Sequence, residues 1–196
     1  MSNFKIISNL FLDLFSDKPS SFEPEDHLIQ LVKLNMETNR KLWDLEDSVR
    51  MKELGSEHVA NTKQEIDKNN QIRNDLIREM DIEIVNCFGV SASSKEKFYS
   101  ESPGMIIDRL AIMFIKLSAI RNLLSVINEY DLKEEYIEKE ATVLKQIELI
   151  GNFLDSYFTK LTLKEAFFEI QQPVKIYNDD RIKEYIKILK KNKNEK

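Results

Sequence analysis

Two neighbouring stretches of the chain carry polar side chains where an apolar seam should run. In the first, positions 28, 31, 35, 38, 42, 45 and 49 recur at the spacing of one helix face. They read Leu, Leu, Asn, Thr, Leu, Leu, Val, so Asn35 and Thr38 interrupt the stripe. Asn39, Trp43, Glu46 and Asp47 flank it, and Arg50 follows Glu46 by four residues, within pairing reach on a helix. In the second, positions 59, 63, 66, 70, 73, 77, 80 and 84 read Val, Lys, Ile, Asn, Arg, Ile, Met, Ile. Lys63, Asp67, Asn70, Gln71, Asn74 and Asp75 form a polar row on and beside the middle of that seam. Cations, amides and carboxylates of this kind could hold a small anion, with Asp67 or Glu46 orienting it or serving as a base. Convergent polar groups in an apolar interior are the usual mark of a ligand site.

A third set lies further on. Ser102-Pro103-Gly104 reads as a helix entry, whose free N–H groups and positive dipole end suit an anion. Asp108, Arg109 and Lys116 follow, with Arg109, Ile112 and Lys116 on one face. The plainer reading is an ordinary helix start whose cations pair with Asp108 and the acidic row. Trp43 could stack on a sugar or base, or simply pack in the core.

Other chemistry finds less support. His27 and His58 are the only histidines and neither sits in a Glu-x-x-His arrangement, so the ferritin-like di-iron pattern is absent from the sequence and no metal site is assigned. Glu46, Asp47, Asp67 and Asp75 could hold Mg²⁺ through oxygen ligands, but pairing with Arg50, Lys63, Arg73 and Arg109 is the simpler use of those charges. Cys87 stands alone without a base in evident reach, and no Gly-rich phosphate loop occurs. No catalytic residue is assigned, and whether the protein is an enzyme stays open.

The elements that must position these residues are helices. The chain has 196 residues, 42% hydrophobic and 32% charged, with four Gly and four Pro. Such a composition predicts a single all-α domain, a bundle of about five or six helices with short connections. The spacing predicts helices from about Pro24 to Glu53, Glu57 to Cys87, Met105 to Ile127, Lys133 to Gln172 and Arg181 to Lys190. Gly55-Ser56 makes the first turn, with Ser56 as cap, and Tyr130-Asp131-Leu132 makes a later break. The third helix, apolar nearly all round, should be central and buried. Residues 1–18 read as an N-terminal amphipathic helix packed on the body, through Phe4, Ile7, Phe11, Leu14 and Phe15, and residues 190–196 as a solvated tail. A net charge of −5 argues against nucleic-acid binding. No apolar run approaches the ~18 residues of a spanning segment, and a single cysteine, which excludes an internal disulfide, fits a reducing compartment most simply, though a periplasmic protein can also lack disulfides.

Four blocks of this sequence share a pattern. Asn39, Leu42-Trp43, Glu46-Asp47 and Arg50 form the first. Lys63, Ile66-Asp67, Asn70-Gln71, Arg73-Asn74-Asp75, Ile77 and Asp81 form the second. Ser100 to Gly104, Ile107-Asp108-Arg109-Leu110 and Lys116 make the third, and Lys175 with Tyr177-Asn178-Asp179 the fourth. Over about residues 35 to 180 the chain resembles the bacterial family of unknown function DUF4254. It departs from that family at Ser102, where Thr is usual, and at Asp180, where a Pro usually stands. The resemblance implies a cytoplasmic helical protein, met beside genes for lipopolysaccharide or other cell-surface glycan synthesis, with no established activity. The expectation is therefore a central pocket for a small anionic ligand, such as a sugar phosphate or nucleotide sugar. The alternative is a non-catalytic adaptor for a glycan-assembly enzyme, in which the polar network only sets helix register. A third reading is a homodimer with the cluster between chains.

Overall fold

The structure is a computed structural model that describes residues 27–90, 97–172, 180–182 and 184–188. Among them run four long helices: α1 (His27–Ser48), α2 (Gly55–Phe88), α3 (Pro103–Leu124) and α4 (Tyr130–Thr162). A helical turn follows at 184–188, so the all-α expectation holds. Residues 1–18, the Lys175–Asp179 block and the tail from 190 lie outside the described residues. None of the described helices is long and apolar enough to cross a membrane.

Contacts between the helices give their directions. His27 Nδ1 lies 3.5 Å from Glu83 Oε2 and Lys41 Nζ 3.6 Å from Glu65 Oε2, so α1 and α2 run antiparallel. The turn between them differs from its expectation. Gly55 takes φ +92, a conformation suited to glycine, and begins α2 itself. Ser56 thus lies inside the helix, and Leu54 occupies the cap position without a side-chain bond. His58 closes the turn instead, its Nε2 lying 3.2 Å from both the hydroxyl and the carbonyl oxygen of Ser48.

Helix α3 packs on α1, α2 and α4, which makes it the centre of the molecule. Ile106, Ile107, Leu110, Ala111, Phe114 and Leu117 are all buried along it, as an all-round apolar helix requires. Ser102 caps it by accepting from the Met105 N–H at 3.3 Å, and Pro103 fills the first position. Arg109 and Lys116, expected as interior charges, are exposed. They stand on the narrow strip of α3 that its neighbours leave open, where long side chains carry their charge into water.

Helix α4 runs antiparallel to α3, with Arg121 Nε 2.7 Å from Glu140 Oε1 at one end and the Tyr157 hydroxyl donating to the Glu101 carbonyl at 3.1 Å at the other. Its bounds also differ from expectation. It begins at Tyr130, inside the expected break, and stops at Thr162 rather than Gln172. Lys164 then takes φ 58 and sends its Nζ to the carbonyls of Phe88 and Gly89, satisfying the C-terminus of α2. Residues Ala166–Phe167 form a short strand, β2, paired in parallel with β1 at Lys97–Phe98. This pairing joins segments far apart in the chain, so no local pattern announces it.

Candidate functional site

The site begins with a buried network drawn from α1, α2 and α3. Asn35 and Asn39 are one helical turn apart on the buried face of α1, and both are sealed from solvent. Each donates its Nδ2 to the same carboxylate oxygen, Oδ1 of Asp108, at 2.9 and 2.8 Å. Asn39 also donates to the Asn35 carbonyl at 3.0 Å. Asp108 is itself buried on α3. From α2, Arg73 brings its Nε to 3.9 Å of the same Oδ1, close enough for an ion pair but too far for a hydrogen bond. A buried carboxylate demands such partners, since an unpaired charge there would be very costly. Arg73 remains incompletely used: its Nε is sealed from solvent and makes no hydrogen bond.

Arg73 also lines a groove open to solvent. Asn39, Leu42, Trp43, Glu46, Asp47 and Arg50 form one wall, Asn70 and Arg73 the other, and Ile112 of α3 contributes the floor side. Its volume is about 290 Å³, at the lower bound of small-molecule pockets. Trp43 is half-buried, resting on the core with one side while lining the groove with the other. Arg50 does not pair with Glu46, as its spacing suggested, but with Asp47 at 3.5 Å. Both partners are largely exposed, so this pair is weak and readily exchanged.

The remaining expected residues are not brought to this groove. Lys63 and Asp67 are exposed on α2, away from it. The expected seam lies one step round from the true one at this end: Thr62, Ile66 and Asn69 are buried there. Gln71 donates to Asp75 Oδ1 at 2.6 Å along the helix. Asn74 and Asp75 line a separate cleft of about 220 Å³ with Ile77, Arg78, Asp81, Met105, Gln171 and Gln172. Arg109 pairs with Glu101 and, with Lys116, lines a third groove between α3 and α4. The polar residues therefore surround α3 in three places rather than filling one central pocket. Among the described residues, no three of the His, Cys, Asp or Glu side chains cluster as they would to hold a metal ion.

The anion expected at the start of α3 is supplied by the chain itself. Asp81 of α2 is buried, accepts the Gly104 N–H at 2.8 Å and bonds the Ser102 side chain. Burial pushes its pKa up from 3.8 to about 6, against the lowering effect of those two bonds. A Cβ at position 104 would lie 2.7 Å from both Asp81 Oδ1 and the Ile77 carbonyl, so glycine is needed for this approach. Two residues of these networks were not assigned to a site from the sequence, Asn35 and Asp81. The interruption of the apolar stripe at Asn35 was one usable signal. For Asp81 the signal was a glycine at the entry of an otherwise apolar helix, which implies close backbone approach by a neighbour.

Comparison with known proteins gives one match. A family model described as "Protein of unknown function (DUF4254)" matches residues 29–152, from α1 into α4. No curated protein and no solved structure matches the chain.

Proposed function

The chain belongs to the DUF4254 family, proteins of unknown function, and from that premise we propose that the groove at Arg73 binds a small anionic ligand bearing hydroxyl groups, of the sugar phosphate or nucleotide sugar kind. The observation that carries this reading is Arg73 itself. Its guanidinium is held beside the buried Asp108, with Nε turned to that carboxylate, and the residue lines the edge of a groove that Trp43 walls. A guanidinium held this way offers an oxyanion a planar pair of donors in fixed orientation. Arg50 supplies a second cation, free to leave its exposed partner. Asn39, Asn70, Glu46 and Asp47 offer the acceptors and donors that sugar hydroxyls use, and the indole of Trp43 offers an apolar face for a ring. The family resemblance adds a cytoplasmic setting beside cell-surface glycan synthesis.

Thermal unfolding with glucose 1-phosphate and with UDP-glucose, each with and without Mg²⁺, tests the proposal. A ligand that binds only the folded state at a concentration of ~100 Kd stabilises by roughly 2.7 kcal/mol, a readily measured rise in Tm. The Arg73→Gln protein should lose that rise; it starts from a lower Tm, because Asp108 loses its cation, but still folds, since Asn35 and Asn39 go on donating to that carboxylate. No rise with any of these compounds would count against the site.

The adaptor reading has its own support in the geometry of the same network. Asn35, Asn39, Asp108 and Arg73 tie three helices through one oxygen, which is what a register-setting device does. Under that reading neither wild type nor Arg73→Gln responds to any of these compounds, and the substitution shows only in stability.

A further inference from the structure

The groove between α3 and α4 differs in character from the one at Arg73. Its walls are Ile112, Met113, Leu149 and Ile150, and its polar lining is Arg109, Lys116 and Gln146, with no carboxylate among them. At about 410 Å³ it is the larger of the two. Leu149 is 60% exposed within it, apolar surface that the other described residues leave open. Arg109 reaches out to Glu101, whereas Lys116 makes no ion pair or hydrogen bond among the described residues. Arg109, Ile112 and Lys116 follow one another at spacings of three and four along one strip of α3.

Ile112 connects the two grooves, since it lines both. A continuous surface therefore leads from the Trp43 groove, rich in hydrogen-bonding groups, across Ile112 into a trough that is apolar at its base and cationic at its rim. That sequence of polar pocket, cationic rim and apolar trough complements a molecule with a sugar at one end, a phosphate between and a hydrocarbon chain at the other.

We infer that the ligand of the Arg73 groove is lipid-linked, a sugar phosphate whose hydrocarbon tail lies in the α3–α4 groove with its phosphate held among Arg73, Arg109 and Lys116. This rests on the reading of the Arg73 groove as an anion site and narrows it to one substrate class. The tail, rather than a partner helix, fits the trough because its rim is cationic and the proposed ligand brings the matching negative charge.

Calorimetric titration of the full chain with ethyl, octyl and decyl phosphate, each below its micelle concentration, tests the inference beside glucose 1-phosphate. Affinity should rise at least tenfold from the ethyl to the decyl compound. Leu149→Asn, a neutral change at a side chain exposed enough to leave the fold intact, should flatten that series and leave glucose 1-phosphate, which has no tail, bound as before. Circular dichroism and sedimentation of the variant check its fold and mass. If glucose 1-phosphate binds but chain length has no effect, the tail site is overturned and the anion site stands. If glucose 1-phosphate does not bind, the anion site falls and the joint ligand with it. A chain-length series that survives Leu149→Asn marks nonspecific amphiphile binding and also overturns the inference. So does a flat series in a wild-type dimer that Leu149→Asn converts to monomer, since a second copy would then be the occupant.

Discussion

Asp81 sits where a carboxylate is costly, between the α2 backbone and the first turn of α3, and its proton affinity records that cost. With its folded pKa near 6 against an ordinary 3.8, the native state holds the proton more tightly than the unfolded chain does. Its contribution to stability is therefore greatest at low pH, falls as pH climbs from about 4 to about 6, and is level above that. An asparagine keeps the oxygen that accepts the Gly104 N–H and has no charge to desolvate. The difference in unfolding free energy between wild type and Asp81→Asn, measured in urea at several pH values, should widen in favour of the variant by roughly 2 kcal/mol between pH 4 and pH 7. A difference that does not change with pH would show that Asp81 titrates normally. Nothing in the local sequence marks this carboxyl, because its burial comes from a helix that begins 22 residues later, at Pro103. Asn39, Arg73 and Asp108 were legible in advance, since each falls on or near a helix face otherwise filled by apolar residues. Lys63 and Asp67 were misplaced by choosing a seam one residue out of phase. A strict seven-residue repeat drifts against the 3.6-residue turn by about 20° per heptad, enough over a 34-residue helix to move a position from core to water.

At the scale of elements, the seating of α3 on α2 depends on Gly104. Gly104→Ala would place a methyl group 2.7 Å from the Ile77 carbonyl, a backbone atom that cannot swing aside. Overpacking of this kind costs roughly 1–3 kcal/mol, and here the Asp81 bond to the helix start would also lengthen. The variant should show a lower urea midpoint with an unchanged slope, and unchanged stability would mean the two helices part easily. The existence and order of α1 to α4 followed from apolar periodicity and sparse turn residues, while several of their ends did not. Helix α4 stops at Thr162 because Lys164 leaves helical geometry to reach the carbonyls ending α2. The chain is then drawn into pairing with β1. Both causes lie in distant segments, so a window sliding along the sequence sees only a helix that could have continued.

For the whole molecule, α4 is attached chiefly through α3 among the described residues, and its first half is nearly all exposed to solvent: residues 130–142 include no buried side chain. Little packing holds that half closed, so its hydrogen bonds open with small free energies. Hydrogen exchange should be fastest within α4 over residues 130–142 and slowest in the middle of α3, a ranking that mass spectrometry of peptic fragments can check. Equal protection along both helices would indicate a partner covering α4 in solution. Ile112 carries a different consequence. Because its side chain borders both grooves, a change in its rotamer reshapes the two together. Occupancy of either groove is thereby linked to occupancy of its neighbour, and linkage is reciprocal: whatever factor a guest on one side imposes on the affinity of the other, it must receive in return.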